Sequence, residues 1–412
     1  MKTFSTFLLS SALVLLFTYS AQAAERDYHF DGSISREVLC NYLARSTTFG
    51  ELLNPRRTEE SLGGNVDDNI RMLKNIGAKF AGRAIYMWGG ETRLEALLTD
   101  GAMVAGKVHQ ADPDVVLQAA VFEIVTTQVK QIPVPGWVFE AFDLDPEKRN
   151  FNYDSMLYPD GKRVDHWSKG KSVPDMSQME TRMWFFYMAA RYINIGVEAI
   201  HFGQVEIMDD RDPDRAYWND MMTRVRNYAS QNARRHMVLC DAHVPSGGIV
   251  LPDGKLLFDF HSFPLRIEEI GDKPEQGVLQ VGYLDSLFLR SKGGVAPSGW
   301  QCESLPYIVE LDNFGGSGGH EGENYGQHFC WGYDEITWFA NQSENYRDLW
   351  LNYAWNWIRR TDPNGYLQMP AGRVLYRKVN RRNWYWANKP SDVVPGGFNQ
   401  EETIKTIWAS DG

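Results

Sequence analysis

The sequence predicts a (β/α)8 barrel with enlarged loops, a TIM barrel of the α/β class. Strand-like apolar segments alternate with helix-like segments about eight times along the 412 residues. Parallel strands need crossover connections, and helices are the usual ones, so this alternation favours a parallel sheet covered by helices. A doubly wound open sheet is the rival fold. It is disfavoured because no glycine-rich phosphate-binding fingerprint follows the first predicted strand.

The clearest unit lies between residues 179 and 206. Apolar residues recur at helical spacing over 179–192, and Gly196 is placed to end that helix. Residues 197–205 are apolar, include β-branched side chains and have the length of a buried strand. Gln204 and Glu206 stand where this strand ends. Barrel enzymes carry their chemistry at the carboxyl ends of the strands, so these two residues mark a candidate site.

The other elements are predicted from the same two periodicities. Strands are predicted at residues 28–32, 79–88, 115–125, 197–205, 236–243, 257–261, 307–313 and 365–369. Helices are predicted at residues 33–53, 66–76, 92–108, 179–192, 215–231, 267–289, 343–360 and 401–408. Ser35 is expected to cap the first helix, and Gly77 to end the second. The sequence contains no internal repeat, low-complexity block or linker, so residues 24–412 are predicted to form a single (β/α)8 domain.

Residues 1–23 are predicted to be a secretory signal peptide. Lys2 gives a basic start, residues 4–19 are mostly apolar, and Ala21-Gln22-Ala23 is a small-residue cleavage site. The protein is therefore expected to be secreted or periplasmic. No later stretch is long and apolar enough to cross a bilayer, so no membrane insertion is expected once the signal is removed.

Charge and aromatic content narrow the class of partner. The 53 acidic residues outnumber the 42 basic ones, which gives a formal net charge of −11, and no basic cluster stands out in the sequence. Such a chain is a poor binder of nucleic acid or of an anionic membrane. Aromatic residues make up 13% of the chain, including 14 Trp. Exposed aromatic faces suit carbohydrates, although core packing is the competing explanation.

The four cysteines, Cys40, Cys240, Cys302 and Cys330, are not spaced as a zinc site. Cys40 and Cys240 are expected to be core residues. Cys302 and Cys330 flank one loop, and an oxidising compartment would allow a disulfide between them.

Polar residues stand at the ends of the predicted strands and would converge on one face of a barrel. Aromatic and amide side chains lie in loops on the same face. The residues expected to bind substrate are Asp31, Trp88, Glu91, Glu123, Gln204, Asp241, His243, His261, Asp312, Asn313, Trp331 and Gln368. Each position depends on strand register, because a slip of one residue would turn a side chain away from the site.

Two motifs carry a resemblance to a known superfamily. They are FGQVE at residues 202–206 and IVELDN at residues 308–313. With these motifs, the sequence resembles the (β/α)8 glycoside hydrolases that carry two glutamates, on strands 4 and 7. The resemblance implies that Glu206 is the general acid/base and Glu310 the nucleophile of an enzyme that needs no metal and no cofactor. Many such enzymes have Asn directly before the acid/base, whereas this chain has Val205.

The chemistry of glycoside cleavage requires two carboxyl groups. One carboxylic acid protonates the leaving oxygen, and a second carboxylate attacks the sugar or activates a water molecule. The expected substrate is a poly- or oligosaccharide. Glu123 is the reserve candidate if Glu206 or Glu310 instead forms a structural ion pair, for example with Arg83 or Arg373.

Two other functions fit parts of the same pattern. Glu206, Asp241, His261 and Glu310 follow one another on successive predicted strands. That order resembles the divalent-metal ligands of barrel-shaped sugar isomerases and epimerases, and the ligand types suit Mn²⁺ or Mg²⁺. The third function is that of a carbohydrate-binding protein without catalysis, which would keep the aromatic residues while its carboxylates became dispensable.

Overall fold

Eight strands, rich in β-branched and small apolar residues, pair in parallel and close into a barrel. The structure, a computed structural model, describes residues 26–317 and 328–411. The strands are β1 (Ser46–Phe49), β2 (Phe80–Met87), β3 (Val116–Val121), β4 (Ala199–Gln204), β5 (Leu239–His243), β6 (His261–Pro264), β7 (Tyr307–Glu310) and β8 (Gly365–Val379). Each strand pairs with the next, and β8 pairs with β1. The predicted (β/α)8 barrel is confirmed.

Helices pack around this barrel. They are α1 (Arg36–Leu43), α2 (Pro55–Glu60), α3 (Val66–Ile76), α4 (Leu94–Ala111), α5 (Gly136–Ala141), α6 (Met179–Ile193), α7 (Ala216–Asn232), α8 (Glu335–Asn341), α9 (Glu344–Thr361) and α10 (Glu401–Ala409). Ser35 caps α1 as predicted, because its hydroxyl accepts the Val38 N–H. Gly77 ends α3 in the left-handed conformation. Within residues 26–317 and 328–411, none of the helices has the length and hydrophobicity that a membrane crossing requires. The predicted signal peptide lies outside the described residues.

The first strand is not where the sequence predicts it. Residues 28–32 do not join the barrel, and the predicted helix 33–53 is divided into α1 and β1. The β-branched Thr47 and Thr48 favour the strand, whose residues are all buried. Asp31 lies at the opposite, amino-terminal end of the barrel, where its carboxylate is 2.6 Å from Nδ1 of His236, just before β5. The prediction that Asp31 binds substrate is therefore wrong.

The sixth strand is displaced along the chain. β6 begins at His261, where the sequence predicts its end. The carboxylate of Asp259 accepts the Cys240 N–H of β5 at 2.9 Å, and so takes a donor that a longer β6 would use. His261 therefore lies at the amino-terminal end of β6, with Nδ1 2.9 Å from the Ser291 hydroxyl. The prediction that His261 lines the substrate site is wrong.

Two further segments differ from the expectation. Residues 267–289 form no helix and instead contain the paired strands Glu268–Glu269 and Gly277–Val278. β8 runs beyond the barrel and folds back as β9 (Arg382–Trp386), a hairpin that buries three consecutive aromatic residues. All four cysteines are free thiols, so the disulfide considered between Cys302 and Cys330 is not formed.

A hydrogen-bonded layer fills the barrel interior below the carboxyl ends of the strands. Asp241 of β5 accepts hydrogen bonds from Gln118 Nε2 at 2.6 Å and from the Ser262 hydroxyl at 2.7 Å. Its second oxygen also lies 2.8 Å from Nδ1 of His201. Burial lowers the pKa of His201 to about 4, and the opposing effect of Asp241 is smaller. The ring is therefore neutral at pH 7 and donates its Nδ1–H to Asp241.

Buried neutral histidines predict a loss of stability in mild acid. Burial lowers the pKa of His261 to about 3, as it lowers that of His201 to about 4, whereas an unfolded histidine titrates at 6.5. Between about pH 6.5 and pH 4 the unfolded chain binds protons that the folded chain does not, so the free energy of unfolding falls as the pH falls. We expect a contribution on the order of 2 kcal/mol per histidine between pH 7 and pH 5.

Urea unfolding at several pH values measures this dependence. The variant His201→Gln should lose less stability between pH 7 and pH 5 than the unsubstituted protein. His29→Gln is the matched control, because His29 is exposed and should leave the dependence unchanged. Equal pH dependence in all three proteins would contradict the assignment of neutral His201.

Candidate functional site

The carboxyl ends of the barrel strands surround one cleft with two lobes, of about 490 Å³ and about 430 Å³. The residues that line both lobes are Gln204, His243, Asp312 and Phe314. The first lobe, here called the aromatic lobe, is also lined by Trp88, Phe122, Glu123, Trp167, Asn313 and Arg373. The second, here called the Glu206 lobe, is also lined by Glu206, Phe263, Arg266, Asp285 and His328. The structure thus brings seven of the predicted site residues to one cleft: Trp88, Glu123, Gln204, Glu206, His243, Asp312 and Asn313.

Three aromatic rings form the wall of the aromatic lobe. Trp88, which follows β2, is 42% exposed and makes edge-to-face contacts with Trp167 at 5.0 Å and with Phe122 at 5.4 Å between ring centroids. Trp167 is itself fixed, because its indole N–H donates to the Glu123 carbonyl at 3.0 Å. The exposed Trp88 ring is therefore held in place by its neighbours and presents a flat apolar surface to the cleft.

Two arginines and two carboxylates form a buried ion-pair network under the cleft. Arg83 of β2 contacts Glu310 of β7 directly, and its other terminal nitrogen lies 3.4 Å from Asp312. Arg373 of β8 contacts Asp312 directly and lies 3.6 Å from Glu310. His243 joins the network with Nε2 2.7 Å from Arg83 and 3.1 Å from Glu310. The network thus ties β2, β5, β7 and β8 together at their carboxyl ends.

The arginines keep both carboxylates ionised. Burial opposes ionisation of Glu310, but the charges of Arg83 and Arg373 outweigh it and lower the pKa of the carboxyl. Burial also opposes ionisation of Asp312, and Arg373 and Arg83 again outweigh it, so that the pKa of Asp312 lies well below its usual range. The burial of two anions beside two cations leaves no net charge in this part of the barrel.

Glu310 forms the ion pairs with Arg83 and Arg373 that the sequence analysis considers as the structural alternative for this residue, and it faces into the network rather than into open solvent. It is 2% exposed, and it lines neither lobe. One carboxylate oxygen contacts Arg83 and His243, and the other lies 3.3 Å from the Thr48 hydroxyl. Asp312, two residues later, lines both lobes. Of these two ionised groups, Asp312 has the more direct access to the cleft.

The FGQVE motif builds a bridge between the ends of β3 and β4. Glu123 accepts the backbone N–H of Gln204 at 2.8 Å and its side-chain amide at 2.9 Å. Gly203 has a φ of +61°, and a Cβ there would collide with the Glu123 carboxylate. The glycine of the motif is thus required for Glu123 to approach this backbone. Glu123 is oriented by two hydrogen bonds and lines the aromatic lobe.

Glu206 has a different environment. It lies in a short 3₁₀ turn, Val205–Ile207, directly after β4, and it is half-buried. One carboxylate oxygen accepts the Ser246 N–H at 3.3 Å. The arginine network does not include Glu206, so its carboxyl is less constrained than those of Glu123, Glu310 and Asp312.

Four other predicted site residues lie away from the cleft wall. Glu91 is buried and accepts both the N–H and the hydroxyl hydrogen of Thr126. Gln368 of β8 accepts the Thr48 hydroxyl inside the barrel, and Asp241 supports His201 as described above. Trp331 is 1% exposed, and its indole N–H donates to the carbonyl of Gln276. Trp331 therefore does not line the cleft, where the sequence analysis expects it to bind substrate, because the hairpin after β6 covers it.

The ligand set of the isomerase alternative is not assembled. His261 lies at the amino end of its strand, Asp241 is fully engaged by interior hydrogen bonds, and Glu310 is paired with arginine. Among the described residues, no group of three or more His, Cys, Asp or Glu side chains is arranged to hold a metal ion. Although these residues follow one another on successive predicted strands, their side chains do not meet at one site in the structure.

Sequence reasoning named Arg83 and Arg373 only as structural partners, and did not single out Phe122 or Trp167. Arg83 has a detectable signal, since it is a lone charge inside an apolar strand segment. Its left-handed φ of +55° is a further sign of a special backbone position, visible only in the structure. Trp167 had no comparable signal, because it lies in the irregular segment between β3 and β4, where no periodicity places a side chain.

Comparison with solved structures finds glycoside hydrolases. A GH113 β-1,4-mannanase is 10% identical with a TM-score of 0.40, over 89% of this chain and 99% of that chain. The debranching enzyme of Nostoc punctiforme is 9% identical with a TM-score of 0.41, over 89% and 79% of the two chains. The isomalto-dextranase of Arthrobacter globiformis T6 is 12% identical with a TM-score of 0.38, over 82% and 59%. No protein-family model and no curated protein matches the sequence. At such low identities and TM-scores, these similarities assign neither substrate nor catalytic residue to this chain.

Proposed function

We propose that this protein is a glycoside hydrolase that cleaves a glycosidic bond in a poly- or oligosaccharide by a two-carboxylate mechanism. One observation carries the proposal. The carboxylates of Glu123, Glu206 and Asp312, at or after the ends of β3, β4 and β7, line the two lobes of one cleft beside the exposed ring of Trp88. Acidic groups beside an exposed aromatic ring are what cleavage and binding of a sugar chain require.

In this proposal Glu206 is the proton donor. A general acid must exchange its proton with bulk water and must reach the leaving oxygen. Glu206 is half-buried in the cleft wall and has only the long contact to Ser246, so it can do both. Glu123 is less suited to this role, because Gln204 holds both of its oxygens.

Glu310 is the proposed nucleophile. A carboxylate nucleophile must be ionised, and Arg83 and Arg373 favour that form. Because Glu310 lies beneath the cleft, attack requires its oxygen to reach the sugar between Arg83 and His243, which line the aromatic lobe. Asp312 is the competing nucleophile, since it is ionised by the same arginines and already faces both lobes.

A carbohydrate-binding protein without catalysis is the second candidate. The observation that favours it is the set of contacts to Glu310, where Arg83, His243 and Thr48 engage both carboxylate oxygens. A glutamate used only to pair these groups would leave the aromatic lobe as a binding surface. Measured turnover on any glycan would exclude this candidate.

Substitution of the carboxylates tests the proposal. Glu310→Gln keeps the size of the side chain and removes the charge, so kcat should fall about a thousandfold or more on the glycans that the protein cleaves. Glu206→Gln should reduce the cleavage of natural glycans by about 10²–10⁴-fold, and that of aryl glycosides with activated leaving groups much less. Released reducing sugar over a glycan panel gives both rates.

Two control variants make the outcome specific. Glu37→Gln, on the exposed face of α1, should leave activity unchanged. Asp312→Asn tests the competing nucleophile. Loss of turnover in Asp312→Asn with turnover retained in Glu310→Gln would transfer the role to Asp312. Binding of a glycan without cleavage by the unsubstituted protein would favour the second candidate.

We further propose that the protein is exported, since residues 1–23 have the composition of a signal peptide. The mature chain should then begin near Ala24. Intact-mass analysis of the protein recovered from the host in which it is exported measures this start. A chain that still carries Met1 outside the cytoplasm, or one found only inside it, would contradict the export proposal.

A further inference from the structure

A second groove adjoins the aromatic lobe, with a volume of about 470 Å³. Three separate chain segments line it, at residues 88–93, 126–128 and 169–171. Its charged residues are Arg93, Lys169 and Lys171, and it is here called the basic groove. Lys169 and Lys171 belong to one short segment, and the fold brings Arg93, which is distant in the sequence, to the same groove.

The charge of the basic groove is opposite to that of the chain. The formal net charge of the protein is −11, yet the lining of the groove has three cations and no carboxylate. Among the described residues, Arg93, Lys169 and Lys171 form no salt bridge, in contrast to most arginines near the cleft. Glu91 belongs to the same loop, but it is buried and both its oxygens accept hydrogen bonds from Thr126. Two further carboxylates act on the groove from outside its lining: Glu51 interacts electrostatically with Arg93, and Asp165 accepts the N–H of Gly170 between the two lysines at 2.6 Å. The lining itself has three positive charges, which exceed these two negative charges and favour an anionic ligand.

Two glycines fix the shape of the groove. Gly89 and Gly90 have φ values of +75° and +80°, which side-chain-bearing residues rarely adopt. A Cβ at Gly89 would lie 2.7 Å from the Thr126 side chain, and one at Gly90 would lie 2.5 Å from the Arg93 guanidinium. The turn after β2 therefore needs glycine at both positions. The guanidinium of Arg93 packs closely against the backbone of this turn at Gly90. The hydroxyls of Thr92 and Thr127 and the amide of Gln128 add neutral hydrogen-bonding groups.

Trp88 connects the basic groove to the proposed catalytic cleft. Its side chain lines both the groove and the aromatic lobe. A saccharide with one sugar ring on Trp88 would thus adjoin both the cleft and the basic groove.

We propose that the basic groove is a subsite for an anionic group on the saccharide that binds in the cleft. The inference rests on the proposed function and narrows its substrate class to acidic glycans, with a carboxylate or a sulfate ester on the sugar unit next to Trp88. Arginine and lysine form charge-assisted hydrogen bonds with both groups, and an arginine guanidinium binds either in a bidentate fashion. A neutral sugar would leave the three cations without a counter-charge.

A binding measurement with matched variants tests this subsite. Lys169→Ala with Lys171→Ala removes two charges from the groove. Lys74→Ala with Lys148→Ala removes two charges from exposed positions on α3 and the loop after α5, outside the groove. The ligands are a uronate-bearing oligosaccharide, a sulfated oligosaccharide and a neutral oligosaccharide of similar length. Dissociation constants are measured for the whole mature chain at low salt, where exposed ion pairs are least screened.

We expect the groove variant to bind at least one anionic oligosaccharide about fivefold more weakly, as the loss of two partly exposed ion pairs predicts. Its affinity for the neutral oligosaccharide should not change, and the Lys74/Lys148 variant should bind every ligand as the unsubstituted protein does. A loss confined to the uronate or to the sulfate identifies which anionic group the groove takes. Equal affinity of both double variants for both anionic ligands would overturn the proposal, as would a preference of the unsubstituted protein for the neutral ligand.

This outcome is separable from that of the proposed function, because binding does not require turnover. Anionic ligands that bind through the groove without being cleaved would support the subsite and contradict the hydrolase. Turnover of glycans with no effect of the groove lysines on anionic ligands would support the hydrolase and contradict the subsite.

Discussion

The buried pairing of Arg83 and Arg373 with Glu310 and Asp312 is the constraint on which the rest of the site depends. These charges come from β2, β7, β8 and the segment after β7, and none is stable in the barrel without its partners. Removal of one member would leave an uncompensated buried charge, at a cost of about 3–5 kcal/mol. The network therefore fixes how the carboxyl ends of these strands meet, and so fixes the floor of the cleft.

The same network separates two kinds of carboxyl group. Glu310 and Asp312 are held ionised by arginine, whereas Glu206 stands outside the network in a half-buried turn after β4. The proposed two-carboxylate cleavage needs one carboxylate that stays charged, and the arginines favour that form of Glu310 and Asp312. Further cations, those of the basic groove, lie next to the cleft. Beyond Trp88, the basic groove has three cations that form no salt bridge with any residue that the structure describes, and an acidic sugar unit is proposed to bind there.

The sequence was sufficient for the architecture and for part of the cleft, since seven of the predicted site residues line it. Long apolar segments such as the one that forms β4 belong in the barrel wall. The residues that directly follow such a segment therefore lie at the carboxyl end of the strand, where the cleft is. The prediction of strand positions failed where the sequence pattern was short or also fitted a helix, and where a side chain replaced a backbone hydrogen bond of the sheet. β1 has only four residues and lies within a segment of helical periodicity, and β6 starts late because Asp259 occupies a donor of β5. The charge network could not be predicted, since Arg83 and Asp312 are 229 residues apart and meet only through barrel closure.

The most direct measurement is a crystal structure of the Glu206→Gln variant with a bound oligosaccharide. We expect one sugar ring on Trp88, the glycosidic oxygen within hydrogen-bonding distance of the side chain at position 206, and the anomeric carbon of the sugar facing Glu310 between Arg83 and His243. An oligosaccharide bound outside the cleft, or one whose anomeric carbon faces Asp312 or Glu123 instead, would contradict the proposed assignment.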